Sequence, residues 1–228
     1  MKLTYVFHSC FIIEGTSADI IIDFYRDAQK SPVKRLLEIK SKPLYVLASH
    51  VHSDHFNPEI LKWSSSQKEI HYIFSEDIKA ECKSKELQIN WLNKGDTFKD
   101  DKLTVKAFGS TDAGISFYLE FENKKIFHAG DLNNWHWNEV STPTEIKEAE
   151  DYYIRELNDV AQVVQHPDLA MFPVDPRLGK DYWKGALQFI DAVHPHLLAP
   201  MHFGDAIKKV SKMQGAVNWE HENESITF

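Results

Sequence analysis

Residues 48–56 read ASHVHSDHF, which places His50, His52, Asp54 and His55 within six positions. The chain holds 12 histidines in all, and this is their densest group. Zinc and similar cations take imidazole and carboxylate ligands. In an extended segment, side chains at i and i+2 point the same way, so His50 and His52 can chelate one ion from one side. Asp54 and His55 follow at the turn and can face a second. Clustered imidazoles repel one another once protonated, so a neutral cluster without a metal has no evident stabilising purpose.

The stretch just before the cluster, PLYVLAS (43–49), is a continuous apolar run of the kind found in strands buried on both faces. The cluster therefore falls at the C-terminal end of a buried strand, where open α/β sheets place their ligands. Further out, LTYVF, CFIIE and IIIDF predict short strands around the turn GTSAD. Pro32 starts a helix through VKRLLEIK with Ser31 as its N-cap. PEILKWSS predicts a short helix and EIHYIF a strand. SEDIKAECKS predicts a helix capped by Ser75, and LQINWL a strand.

The middle of the chain changes character. KGDTF is a turn signal, and KLTVKAF alternates as a half-buried strand does. GISFYLEF and IFHAG flank the polar turn ENKK and predict a hairpin. Residues 143–164 predict the longest helix, with Thr142 and Pro143 at its start. LAMFPV is a buried strand, YWKGALQFIDAV a helix, HLLAP a strand and DAIKKVSKM a final helix. No internal repeat, low-complexity segment or linker interrupts this order. The pattern predicts one α/β domain over residues 1–228: two mixed sheets facing each other with helices outside, which covers the buried strands on both sides.

Composition narrows the function. Of 228 residues, 43% are hydrophobic and 26% charged, an ordinary globular balance. The formal net charge of −8 argues against a general nucleic-acid or anionic-membrane surface. No run approaches the roughly 20 apolar residues of a membrane span, and the first ten residues lack the apolar core of a signal peptide. The two cysteines, Cys10 and Cys82, make no disulfide framework. The expectation is a cytoplasmic protein that acts on a small molecule, with Cys10 a buried thiol.

The motif SHVHSDH, with IFHAGD and LAPMHFG downstream in that order, resembles the signature of the metallo-β-lactamase superfamily, whose members fold as a four-layer αββα sandwich. FHSCFIIEG and IIIDF are similar to the opening hairpin of its ascorbate-6-phosphate lactonase-like branch. The resemblance covers nearly the whole chain. It implies His50 and His52 on one metal, Asp54, His55 and His202 on a second, and Asp131 between them. Most of the family has one more histidine ligand, where this chain reads AFGSTDAGIS. Ser110, Thr111 or Asp112 stands in its place. Asp112 is the best substitute chemically, and capping the turn is an equally good explanation of it.

The resemblance implies a hydrolase that uses a metal-activated hydroxide on a small ester-like substrate, a lactone or a phosphoester. Zinc is expected at one or two ions per chain, with manganese or another divalent ion as alternatives. Asp54 could accept a proton as well as ligate, and His136 is a candidate proton donor to the leaving group. Asn133, Trp135 and Trp137 are placed to line a pocket mouth, with one tryptophan expected in the core. Asp175 and Arg177 could hold an anionic substrate group or simply pair with each other. His8 and His128 fit either hydrogen-bonding support to ligands or satisfied strand histidines. Competing functions are a phosphodiesterase or nuclease-type hydrolase, and a metal-binding module with a degenerate, non-catalytic first site. A diiron redox role is weaker, because related redox proteins carry glutamate where His52 stands.

Overall fold

A computed structural model describes residues 1–28, 30–39, 41–83, 87–210, 213 and 215–228. Its strands in chain order are β1 (Lys2–Phe7), β2 (Cys10–Glu14), β3 (Asp19–Ile22), β4 (Leu44–Ala48), β5 (Ile70–Ser75), β6 (Ile89–Leu92), β7 (Thr97–Lys99), β8 (Leu103–Phe108), β9 (Ser116–Phe121), β10 (Lys124–His128), β11 (Leu169–Pro173), β12 (Leu198–Met201) and β13 (Ser225–Thr227). The helices are α1 (Pro32–Glu38), α2 (Pro143–Ala161), α3 (Lys184–Val193) and α4 (Ile207–Val210).

Among the described residues these strands form two mixed sheets. One runs β13-β1-β2-β3-β4-β5-β6, antiparallel through β3 and parallel from β3 to β6. The other runs β12-β11-β10-β9-β8-β7, antiparallel from β7 to β10 and parallel from β10 to β12. Side chains alternate between two cores, as the period of two requires. Ile20, Ile22, Tyr45 and Leu47 pack with Val105, Phe117 and Leu119 of the facing sheet. Ile21, Val46 and Ala48 pack outward with Val33 and Leu36 of α1 and with Ile60 and Trp63. Tyr153 and Leu157 of α2 and Phe189 of α3 join the core of the second sheet. The αββα layering expected from the apolar runs is the architecture observed.

Local differences from the sequence reading have local causes. Ser31 stands before α1 in a left-handed conformation and makes no side-chain cap. The Asp27 carboxylate caps this helix instead, accepting from Val33 N at 3.1 Å and Lys34 N at 3.1 Å. Residues 58–65 and 76–80 form 3₁₀ turns rather than α-helix. Ser75 makes no side-chain cap there either. The ends of three predicted helices, at Lys40, Ser84 and Ser211–Lys212, lie outside the described residues. The strand expected as HLLAP is shifted on to Leu198–Met201. At the start of α2 the capping box is complete: Thr142 Oγ1 accepts from Glu145 N, and Glu145 accepts from Thr142 N. The edge strand β13 is not foreshadowed, because three residues with one apolar centre carry no periodicity.

The parallel strands β3, β4, β10, β11 and β12 all deliver their C-terminal ends to one side of the molecule. The candidate ligands lie in the segments that leave β4, β10 and β12, with Asp112 in the segment that leaves β8.

Candidate metal centre

Asp131 stands at the middle of the cluster. Its Oδ1 lies 3.1 Å from His55 Nε2 and 3.3 Å from His202 Nε2, and its Oδ2 lies 3.4 Å from His50 Nε2. The backbone reaches this position through Gly130 at φ +52, where an added Cβ would strike Ile115 O and the Ser49 side chain. Gly114, at φ +64, lies so close to the histidine loop that a Cβ would come within 2.1 Å of Ser49 O. These two glycines let the segments flanking β9 and β10 close over the start of the loop.

His50, His55 and His202 are each oriented through the other ring nitrogen. His55 Nδ1 donates to Asp23 Oδ2 at 2.7 Å. His202 Nδ1 donates to Asp175 Oδ2 at 3.0 Å. Ser49 Oγ donates to Asp23 Oδ2 at 2.6 Å, which leaves it free to accept from His50 Nδ1 at 2.9 Å. A carboxylate only accepts, so these partners place the protons on Nδ1 and turn Nε2 toward Asp131. Metal-ligating histidines are commonly supported in this way.

The electrostatics follow from burial and charge. Burial opposes ionising Asp131, yet His55 and His202 hold its carboxyl well below the usual range. Burial likewise opposes a charged His55, and Asp131 and Asp23 outweigh it, raising its pKa well above the ordinary value. Asp175 is driven down to about 2: burial works against ionisation, and the hydrogen bonds from His202 and Arg177 prevail. For His8 burial wins over the pull of Asp54, lowering its pKa to about 4.

The donor set fits a divalent metal on an observation independent of any relative. The Nε2 atoms of His8, His50, His55 and His202 and the Oδ1 of Asp131 are buried and have no hydrogen-bond partner among the described residues. Five buried polar atoms that make no hydrogen bond and face ligand atoms at 3.1–3.4 Å would be costly without a shared partner. Among the described residues, three groups have ligand atoms within 4.8 Å of one another: His8, Asp54, His55 and His202; His50, His55 and Asp131; His52, Asp112 and Asp131.

The seven residues expected as metal ligands, His50, His52, Asp54, His55, Asp112, Asp131 and His202, are thus brought together. Asp112 is the member of the Ser110–Asp112 triplet whose side chain reaches the cluster, with Oδ2 3.7 Å from His52 Nδ1. Thr111 is spent on structure: its hydroxyl donates to Asn133 O at 2.6 Å and accepts from Asn133 N at 2.9 Å. Ser110 Oγ accepts from Asp112 N at 3.4 Å. His8, Asp23, Ser49 and Asp175 carry support or donor positions that the spacing of the motif did not reveal. A signal existed for Asp23, a lone acid ending the apolar run IIID.

His136 does not join them. It lies in the wall of a separate cavity of about 570 Å³ with Asn138, Trp183 and Leu187. Its Nε2 lies 3.2 Å from Asp181 O and its Nδ1 accepts from Asn138 N at 3.1 Å. With both ring nitrogens committed to the backbone, it is not placed to protonate a leaving group. His128 is a satisfied histidine, donating from Nε2 to Ser9 O at 2.9 Å and accepting from Gly130 N. His166, His194 and His196 group near the opposite, N-terminal ends of β11 and β12, where His166 stacks on His194 at 5.6 Å.

Above the donors opens a cavity of about 340 Å³, lined by His52, Asp54, Thr111, Asp112, Trp135, Trp137 and Arg177 among others. Neither tryptophan belongs to the core. Trp135 and Trp137 stack at 6.2 Å, and Trp135 Nε1 donates to Asp131 O at 2.9 Å. Asn133, expected at the pocket mouth, is fully buried. Arg177 pairs with Asp175 through Nε and Nη2 while most of its side chain stays exposed. The ion pair fixes the loop, and Arg177 also lines the cavity.

Comparison with known proteins agrees with this geometry. The family described as the beta-lactamase superfamily domain matches residues 2–145. A UPF0173 metal-dependent hydrolase of Thermoplasma acidophilum is 23% identical, covering 89% of this chain and 83% of that protein. One from Natranaerobius thermophilus is 26% identical over the same shares, 89% and 83%. Among solved structures, Igni18, a metallo hydrolase from Ignicoccus hospitalis, superposes with a TM-score of 0.65 at 19% identity, covering 100% of this chain and 98% of that one. The metallo-beta-lactamase fold protein YhfI from Bacillus subtilis gives 0.64 at 10% identity, covering 99% of each. At such identities the structures speak for the fold alone.

Proposed function

This chain belongs to the beta-lactamase superfamily, and we propose that it is a metal-dependent hydrolase of a small ester-like substrate, with zinc as the metal. One observation carries the reading: five buried ligand atoms without hydrogen-bond partners among the described residues converge beside a cavity that two of their residues, Asp131 and His202, line. The names of its relatives, metal-dependent hydrolases, point the same way.

His50, His52, Asp54, His55, Asp112, Asp131 and His202 would hold the metal. Bound divalent cations supply Lewis acidity and lower the pKa of a water. The remaining chemistry belongs to side chains. Asp54 reaches the cavity and takes up the proton of the attacking water at its carboxylate. Trp135 and Trp137 form an apolar wall that keeps bulk water from the substrate's flank. Arg177, oriented by Asp175, favours a substrate carrying an anionic group. The resemblance to lactonase-like proteins makes phosphorylated lactones the first class to try, with phosphodiesters second.

The test begins with elemental analysis of protein purified without chelators, where one or two ions per chain are expected. Zinc-loaded protein is then assayed on generic lactones and bis-phosphoesters. His55→Ala is expected to lower turnover at least about 100-fold, since loss of mere outer support to a ligand already costs 10- to 100-fold. Turnover surviving that change would rule out the assigned chemistry.

A further inference from the structure

His8 belongs to the metal centre in a way that neither the motif nor the relatives assign. Its Nε2 is buried, has no hydrogen-bond partner among the described residues, and lies 3.2 Å from Asp54 Oδ2. The ring sits 4.1 Å from His202 and 5.7 Å from His55. With Asp54, His55 and His202 it forms a group of four donors.

The backbone holds it there. His8 follows β1 at φ 58, in the left-handed region that a residue with a side chain enters only at a cost. Its N–H donates to the Tyr5 hydroxyl at 3.0 Å, and its carbonyl accepts from His202 N at 3.0 Å. His202 is itself at φ 64. Two strained backbones are therefore bonded to each other with their rings side by side.

The other position is built differently. The side chains of His52 and Asp112 are 48% and 53% exposed, and their closest approach is 3.7 Å. The inner histidines His55 and His202 are each oriented by a buried carboxylate, whereas His52 Nδ1 points at Asp112 itself. Donors fixed in advance lose little freedom on binding, and exposed ones must be ordered first.

We propose that His8 is a ligand of the inner metal, and that this makes the two positions unequal. The inner one, His8, Asp54, His55 and His202, fills first and retains its ion. The outer one, where the exposed His52 and Asp112 join the buried His50 and Asp131, exchanges. The absence of a histidine in the segment 107–116 thus weakens the outer position, and an additional histidine strengthens the inner. The inference rests on the metal-dependent reading but not on any substrate.

Zinc titration of the metal-free full chain against a chromophoric chelator tests it. Two separated binding steps are expected. His8→Ala should weaken the tighter step at least about 10-fold and spare the weaker one, while His52→Ala should do the reverse. Two steps of equal affinity, or a tight step untouched by His8→Ala, would overturn it. Nitrogen NMR of imidazole-labelled wild-type protein needs no variant. One equivalent of zinc should shift the His8 Nε2 resonance, and an unmoved resonance would also overturn the assignment. Zinc binding without hydrolysis would count against the proposed function alone.

Discussion

Asp23 shows how much one side chain can organise. It leaves β3 at φ 51, fully buried. Its carboxylate accepts from Ser49 N at 2.7 Å, Ser49 Oγ at 2.6 Å and His55 Nδ1 at 2.7 Å. Through Ser49 it also fixes His50. Burial opposes its charge, but His128, His55 and His50 hold its pKa below the usual range. Asp23→Asn keeps the shape and removes the charge, and one amide hydrogen then faces a donor. The expected outcome is zinc affinity about 10- to 100-fold weaker, with the fold destabilised by about 1–3 kcal/mol. Metal titration and urea unfolding of the same variant check both. Unchanged zinc affinity would mean that His55 and His50 keep their orientation without it.

Turns tie the two sheets together at a point away from the metal centre. Glu122, in the β9–β10 turn, accepts from Thr16 N at 3.0 Å and from Ser17 N and Oγ at 2.6 Å each, in the β2–β3 turn. Desolvation would raise its pKa, but these donors lower it from 4.5 to about 2. A carboxyl depressed in the folded state stabilises fully above its unfolded pKa, and loses that contribution as pH falls through the folded one. Glu122→Gln should therefore melt below wild type at pH 7, with the gap closing between pH 4.5 and about 2. Melting curves across that range decide it, and a gap constant with pH would remove the charge from the explanation. Elements of this kind differ in how readable they are. The strands β3 and β4 are legible because apolar runs bounded by turns leave few alternatives. The cap of α1 is not, because Ser31 has the right chemistry at the right place, and only the folded path of the chain brings the Asp27 carboxylate to the same amides.

At the scale of the molecule, segments leaving strands of both sheets bring the candidate donors to one place, and a divalent ion held there would cross-link the sheets. An ion that binds only the folded state stabilises it by about 2.7 kcal/mol at a hundredfold excess over its Kd. Chelator-stripped protein should melt several degrees lower and recover with zinc, as calorimetry can show. Identical melting with and without zinc would mean that the native centre binds no ion.

Neighbours in the chain already point to two facing sheets with helices outside and to His50, His52, Asp54 and His55 as candidate ligands, because side-chain direction along an extended segment and the apolar period of strands are local properties. The chain's resemblance to a family added Asp131 and His202. The folded path of the chain is needed to bring His8 among the candidate donors, Asp112 rather than Thr111 to the cluster and His136 away from it, and to set Asp23 and Asp175 against histidines 32 and 27 residues away. Those pairings depend on where separate strand ends come to rest. Burial then makes them specific, since a polar atom removed from water must find a partner wherever the chain has placed one.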